Sequence, residues 1–432
     1  MVSKLFIISV LSLYLVSSTS SNLGLSDGPW NILGLTGYSG MISLNALTQS
    51  SLFYWLFESI GGNITTDSRP LVLWLQGGPG CSGSLGMLFE NISPLTVFND
   101  EANVFDTDQN YTWATDYHIM SIDFPFGAGY SFANSENDQK NTTLTATNYL
   151  YKMLIKLQAK YPTWFNRPFY ILGESYGGHW VPGLAYNILI NNQTGGQLLN
   201  LKGIAIGDPW VDPITQTQSY AKYSLATSLI NLNQFNIISY YQNQVTQNLN
   251  TNQPYQAEAN WENTYNTVVS FANNINVYNV REYGDYSFNY IGQWLNKAST
   301  KETLNVPSFA SWVGCNDTMY DYYKADIMTS TIPELTYILS QGMKVMIYNG
   351  QDDLIVNTPG IEAMITSLNV NGFAAAKKQN WTVGGQIAGY VQNAGNFTFV
   401  VVLKSGHMVP YDQPVNAKDM VGRFVNNLPW TN

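Results

Sequence analysis

The chain has 432 residues, 45% of them hydrophobic and only 11% charged, with a formal net charge of −10 at pH 7. That length buries a large core and admits one to three domains, while the acidic balance argues against nucleic-acid binding, which wants a basic face. Three scattered histidines and two cysteines offer no zinc-type ligand spacing, so no metal and no cofactor is expected.

Residues 1–20 predict a signal peptide: Lys4, then the apolar run from Leu5 to Val16, then Ser17, Ser18, Thr19 and Ser20. An apolar run this short does not span a bilayer, which needs ~20 residues, and no later segment reads as a membrane span. The secretory pathway is therefore expected, ending in a lysosome or vacuole or outside the cell. Passage through it gives meaning to the Asn-x-Ser/Thr triplets at Asn63, Asn110, Asn141, Asn192, Asn316, Asn380 and Asn396. An eighth triplet, at Asn91, is followed directly by Pro94 and is discounted. Cys81 and Cys315 can make one bridge in an oxidising compartment, but their spacing alone does not decide it.

Leu71–Leu75 is a continuous apolar run followed by Gly77-Gly78-Pro79-Gly80, and reads as a buried strand ending in a tight loop. The loop lacks the Lys-Ser/Thr ending of a phosphate loop. His118–Asp123 predicts a second strand, Pro168–Leu172 a third, Leu201–Gly207 a fourth, Val345–Tyr348 a fifth and Phe397–Leu403 a sixth. Helical patterns lie between several of them, notably over Leu144–Lys160. Strands alternating with helices predict an α/β fold with a central, mostly parallel sheet. Residues 211–323 break the rhythm. They are rich in Gln, Asn and Tyr, look mostly helical over 214–275, and predict a lid inserted at the sheet's ligand-binding edge. The expected organisation is 21–210 and 324–432 as two parts of one core, with 211–323 as the lid. No internal repeat, heptad pattern or interdomain linker is present.

Gly173-Glu174-Ser175-Tyr176-Gly177 joins the third strand to a helix predicted from Tyr176 to about Ile190. A Gly-x-Ser-x-Gly run at a sharp strand-to-helix turn raises the serine hydroxyl toward a base. His118 opens a buried strand and suits packing. His179 lies four residues after Ser175 and could line the pocket, but is wrongly ordered for a base in this fold. His407 follows the last strand, where the order Ser, acid, His requires it. The acid then comes from the end of the fifth strand, as Asp352 or Asp353. One oxyanion donor is the backbone N–H of Tyr176, and Gly77-Gly78 suits the second.

These motifs, with Trp74–Ser82, Ile122–Ser131, Gly203–Asp208, Gly350–Asp353 and Gly406–Pro410 in order, closely resemble the serine carboxypeptidases, the family of cathepsin A and carboxypeptidase Y. The phrases Met346–Gln351 and Tyr411–Pro414 look most like its vitellogenic-like branch. The resemblance implies an α/β-hydrolase fold and removal of C-terminal residues from peptides at acidic pH. It implies Ser175 as nucleophile, His407 as base and Asp353 as acid, with Gly78 and Tyr176 as oxyanion donors. Gln76, Gly77 and Glu174 match the group that holds the substrate's terminal carboxylate. Leu85, Phe89, Glu90 and Met408 are expected to line the pocket for the leaving residue. Cys81 and Cys315 match the two halves of one disulfide. Departures include Gln76 where many members have Asn, Gly177 for Ala, His179 for Tyr or Lys, and Asp208-Pro209-Trp210 for an Asn-Gly pair. The partners expected are peptide or protein C-termini. A homodimer is compatible with the sequence. Two other readings use the same scaffold: an acyltransferase or esterase with this triad, and a non-catalytic binding or protective protein.

Overall fold

The computed structural model describes residues 23–98, 103–196 and 198–430; the expected signal peptide lies outside them. The strands are β1 (Asp27–Ile32), β2 (Leu35–Ser43), β3 (Ser51–Phe57), β4 (Leu71–Leu75), β5 (Leu95–Phe98), β6 (Asn103–Asp106), β7 (His118–Ile122), β8 (Phe169–Glu174), β9 (Leu201–Gly207), β10 (Ile275–Asn276), β11 (Asn279–Tyr283), β12 (Lys344–Gly350), β13 (Gln379–Val383), β14 (Gln386–Ala394) and β15 (Phe397–Val402). Eleven of them form one sheet in the order β1-β2-β3-β7-β4-β8-β9-β12-β15-β14-β13. The central run from β7 to β15 is parallel throughout. Antiparallel strands flank it on both sides.

The six strands predicted from continuous apolar runs are the six parallel ones. Covered on both faces, each must be apolar at every position, and β4, β7 and β8 are buried along their whole length. The flanking strands were not anticipated: β1, β2 and β14 carry polar residues and glycines at partly exposed positions, whereas β3 is an apolar run buried along its whole length, like the parallel strands. Helix Thr143–Lys160 turns Ala146, Leu150, Met153, Leu154 and Leu157 inward, three and four residues apart. With helices Gly177–Gln193 and Thr358–Leu368 it covers one face of the sheet. Helices Gly83–Phe89 and Pro414–Asn426 cover the other.

Between β9 and β12 the chain is largely helical, as expected for the insertion. Its long helices are Leu232–Asn250 and Pro254–Phe271. Asn231 and Gln234 form a reciprocal capping box that starts the first of them. The small β10–β11 hairpin follows. Among the described residues no helix is long and apolar enough to cross a membrane. Asn63, Asn110, Asn141, Asn380 and Asn396 are exposed, whereas Asn192 and Asn316 are half-buried and donate Nδ2 to the carbonyls of Leu199 and Gly127.

Candidate active site

Parallel strands end on the same edge of a sheet, so β4, β8, β9, β12 and β15 all deliver their C-terminal loops to one side. Ser175 leaves β8 with φ 62°, in the left-handed region, a strained conformation for a serine. Its backbone is fixed by N–H donation to Gly207 O at 2.9 Å and by acceptance from Trp210 N at 2.9 Å. The turn brings the first turn of helix Gly177–Gln193 beneath it, with Tyr176 as its N-cap residue. The positive end of that helix faces the position where an oxyanion would form.

Gly77, after β4, lies directly against this elbow. A Cβ there would meet Ser175 Cβ at 2.6 Å and Tyr176 N at 2.6 Å, so only glycine lets the loop approach. The same loop is tied to the insertion. Cys81 and Cys315 are disulfide-bonded, Ser82 N donates to Gly314 O at 2.7 Å, and Asn316 N donates to Gly80 O at 3.0 Å. The bridge implied by the resemblance is present.

Asp353, after β12, is fully buried, and His407, after β15, is 3% exposed. His407 Nδ1 meets Asp353 Oδ2 at 2.8 Å, and Asp353 Oδ1 accepts from Val356 N at 3.1 Å. With Nδ1–H committed to the carboxylate, Nε2 is the nitrogen left to accept a proton. Asp352 is the other acid considered above. It points outward to Arg281 Nη1, 3.3 Å away. Ser175, Gly78 and Tyr176 line a cavity of about 410 Å³ together with Trp210, Trp261, Tyr278 and Val356. The ring of Tyr278 packs on the His407 imidazole, with centroids 5.4 Å apart.

Among the described residues, the one group of acidic and imidazole side chains close enough to share a cation is Asp208, Asp353 and His407. Its imidazole Nδ1 is already committed to Asp353, so the donor set reads as a proton-linked cluster.

The expected carboxylate-binding group is assembled around one amide. Trp74 Nε1 donates to Gln76 Oε1 at 2.7 Å, which fixes the amide orientation. Gln76 Nε2 then donates to Glu174 Oε1 and to Glu90 Oε1, both at 3.2 Å. Glu90, expected to line the leaving-residue pocket, faces Gln76 and Glu174. Both carboxyls are buried and each keeps an Oε2 without a protein hydrogen bond. Burial first, and then Glu90 beside it, pushes Glu174 well above the usual carboxylate range. Burial likewise raises Glu90, to about 8.

Leu85 and Phe89 project from helix Gly83–Phe89 and are buried, while Met408 is half-buried at the start of the turn Val409–Asp412. Phe89 stacks on Tyr411 at 4.4 Å and meets Tyr286 and Phe288 edge-on. These three aromatic partners were not anticipated. Two of them come from the insertion, where composition alone gives no sign of which rings face inward.

His179 does not reach the cavity. It is fully buried behind Tyr176, ring on ring at 4.2 Å, with Nδ1 3.0 Å from Thr143 Oγ1. Tyr176 Oη donates to Asp326 Oδ2 at 2.6 Å, so this cluster braces the elbow from below. His118 accepts from Ser59 N at 3.1 Å and meets Asp67 at 2.8 Å, a packing role as read from the sequence.

Residues 29–427 match the family model described as serine carboxypeptidase. The chain is 32% identical over 410 residues to a probable serine carboxypeptidase CPVL of Dictyostelium discoideum, covering 91% of this chain and 79% of that protein. It is 30% identical to the probable serine carboxypeptidase CPVL of Homo sapiens, covering 93% and 86%. In fold it is similar to a prohormone-processing carboxypeptidase, KEX1(delta)p of Saccharomyces cerevisiae, with a TM-score of 0.79 at 24% identity and coverage of 91% and 92%. An α/β-hydrolase core carrying a serine elbow, with a match over nearly its whole length, makes this chain a member of the serine carboxypeptidase family.

Proposed function

We propose that the chain releases C-terminal residues from peptides in acid, with Ser175 as nucleophile, His407 as base and Asp353 as the acid that holds the imidazole. Ser175 Oγ attacks the last peptide carbonyl as His407 Nε2 takes its proton. The backbone N–H groups of Gly78 and Tyr176 receive the developing oxyanion. The C–N bond breaks, His407 returns the proton to the leaving amine, and the acyl group remains on Ser175. Water, deprotonated by His407, then releases the shortened peptide.

The observation that carries the carboxypeptidase reading is the Gln76 amide flanked by two buried carboxyls beside the elbow. A terminal carboxylate entering there meets the Gln76 amide, the Gly77 backbone and a Glu174 that holds its proton. An ionised Glu174 would repel it. Comparison of a free-acid peptide with its C-terminal amide tests this. The free acid should be cleaved at least tenfold better in kcat/KM at acidic pH, and equal rates would sink the reading in favour of the acyltransferase or esterase one. Stoichiometric organophosphate labelling mapped to Ser175 tests the nucleophile.

In this reading Leu85, Phe89, Glu90 and Met408 receive the leaving residue. Residues 211–323 act as the lid over a core of 21–210 and 324–432, since Trp261 and Tyr278 wall the cavity. The disulfide and the exposed triplets suit passage through the secretory pathway to a lysosome, a vacuole or the exterior, with residues 1–20 as the signal. A mass shift on glycosidase treatment of secreted protein checks both.

A further inference from the structure

Asp208 follows β9, the strand between those that carry Ser175 and Asp353. It is fully buried and sits at φ 46°, in the left-handed region, although it is not glycine. Its N–H donates to Tyr348 O at 2.7 Å, which fixes the turn that aims its carboxyl at the end of β12. There Oδ1 accepts from Asn349 Nδ2 at 2.7 Å and from Gly350 N at 2.9 Å. Oδ2 is buried with no donor. One carboxyl oxygen of Asp208, one of Asp353 and one ring nitrogen of His407 lie within 4.8 Å of one another.

Asp353 is already an acceptor on both oxygens, from Val356 N and from His407 Nδ1. Two adjacent buried carboxyls cannot both be ionised without a large penalty, and one proton between them removes it. Asp353 must stay anionic to hold the imidazole, so the proton belongs to Asp208, on the one oxygen that lacks a donor.

We propose that Asp208 is a positioning residue of the triad, a neutral acid whose Oδ2–H donates to the Asp353 carboxylate and tempers its pull on the His407 proton. This rests on the triad reading above. It answers a difficulty in that reading, because an unmodified Asp353 would favour the charged imidazole at the acidic pH where a neutral one is needed. The titratable groups that act on Asp208 or lie against it are Asp353, His407, Glu174 from β8 and Tyr348 from β12. Burial and then Asp353 hold the Asp208 carboxyl well above the usual range.

The test compares Asp208→Asn and Asp208→Ala with wild type in full kcat/KM profiles against pH, with organophosphate labelling of Ser175 in each. The amide is isosteric and always a donor. Asp208→Asn should therefore stay within about threefold of wild type in acid and hold its activity further into alkali. Asp208→Ala removes the donor. Its kcat should fall about tenfold, with KM little changed and the acidic limb moved up by about one pH unit. An infrared difference between wild type and Asp208→Asn should contain one protonated-carboxyl band at neutral pH, which keeps the test open if the alanine variant does not fold. An Asp208→Ala profile superimposable on wild type, or absence of the carboxyl band, would overturn the assignment. Loss of Ser175 labelling in wild type would overturn the triad and this inference together, whereas labelling with an unmoved profile sinks only the latter.

Discussion

The carboxyls of Glu174 and Glu90 are joined through a single amide, each accepting from Gln76 Nε2 at 3.2 Å, and each is 1% exposed. Glu174 comes from the serine elbow and Glu90 from the end of the helix after β4. Such a pair retains a proton that isolated carboxylates would have lost. Activity on free-acid peptides should thus fall as pH rises and the pair ionises. Glu174→Gln cannot ionise, and its kcat/KM should decline less between pH 5 and 8 on such peptides. An unchanged profile would dissociate the acid optimum from this pair.

The same protons act on stability. A carboxyl raised in the fold binds more protons folded than unfolded, so stability is greatest below the unfolded value and falls as pH rises toward the folded one. For Glu90 the window runs from the ordinary 4.5 to about 8, and Asp412, raised by burial to about 6, adds in the same direction. The melting temperature should fall across this window, with roughly 1.4 kcal/mol lost per pH unit for each extra proton held. Glu90→Gln should flatten the slope, and a melting curve that rose with pH would contradict the protonated pair.

In the proposed mechanism, removing Ser175 leaves only binding and oxyanion stabilisation. Ser175→Ala should lose on the order of 10⁶ in kcat, and Asp353→Asn on the order of 10⁴, through loss of the charge that His407 Nδ1–H leans on. Both should keep wild-type melting within a few degrees, measured alongside peptide hydrolysis. Retained peptidase activity in Ser175→Ala would mean that another group attacks.

Phe89 and Tyr411 stack at 4.4 Å with their planes 5° apart. If they wall the leaving-residue pocket, Tyr411→Ala should raise KM for peptides ending in Leu or Phe by roughly three- to tenfold. Peptides ending in Ala should change little. An equal effect on both series would move the pocket elsewhere.

The Cys81–Cys315 bridge spans 234 residues of sequence. In the chain-entropy view a loop that long contributes up to about 5 kcal/mol. Cys81→Ser with Cys315→Ser should lower the melting temperature and also kcat, because the loop that carries Gly78, the proposed oxyanion donor, loses its tether. A variant with unchanged kcat would make the bridge purely structural.

What the sequence made legible follows from burial. Strands covered on both faces announce themselves as unbroken apolar runs, and their ends carry Ser175, Asp353 and His407 in an order that one fold enforces. The contact of Glu90 with Gln76 was not legible in the sequence, because its direction depends on where helix Gly83–Phe89 ends, and that short helix turns it back toward Gln76, fourteen positions earlier. Its spacing from Gln76, one loop and one short helix, was the available signal. His179 shares a helix with the elbow, yet the helix axis sends it behind Tyr176. The edge strands β1 and β13 pair on one side only and are interrupted by polar residues, while the buried apolar run of β3 carries the same signal as the parallel strands. The aromatic rings of the insertion gave no period to read, since hairpin and loop geometry sets their direction.

The β10–β11 hairpin is stitched to the loops that carry Asp353 and His407. His407 N donates to Tyr278 O at 2.7 Å, Val280 N to Asp352 O at 2.9 Å, and Leu354 N and Ile355 N both to Val277 O. Gly406 fits under it only as glycine, since a Cβ would lie 2.2 Å from Tyr278 O. The insertion is therefore not a detachable cover. Its helical part, 232–271, reaches the same cavity through Trp261, which stacks on Trp210 at 4.7 Å. Residues 275–280 are a keystone that a graft from another family member must carry unchanged, or the loops that carry Asp353 and His407 come apart together.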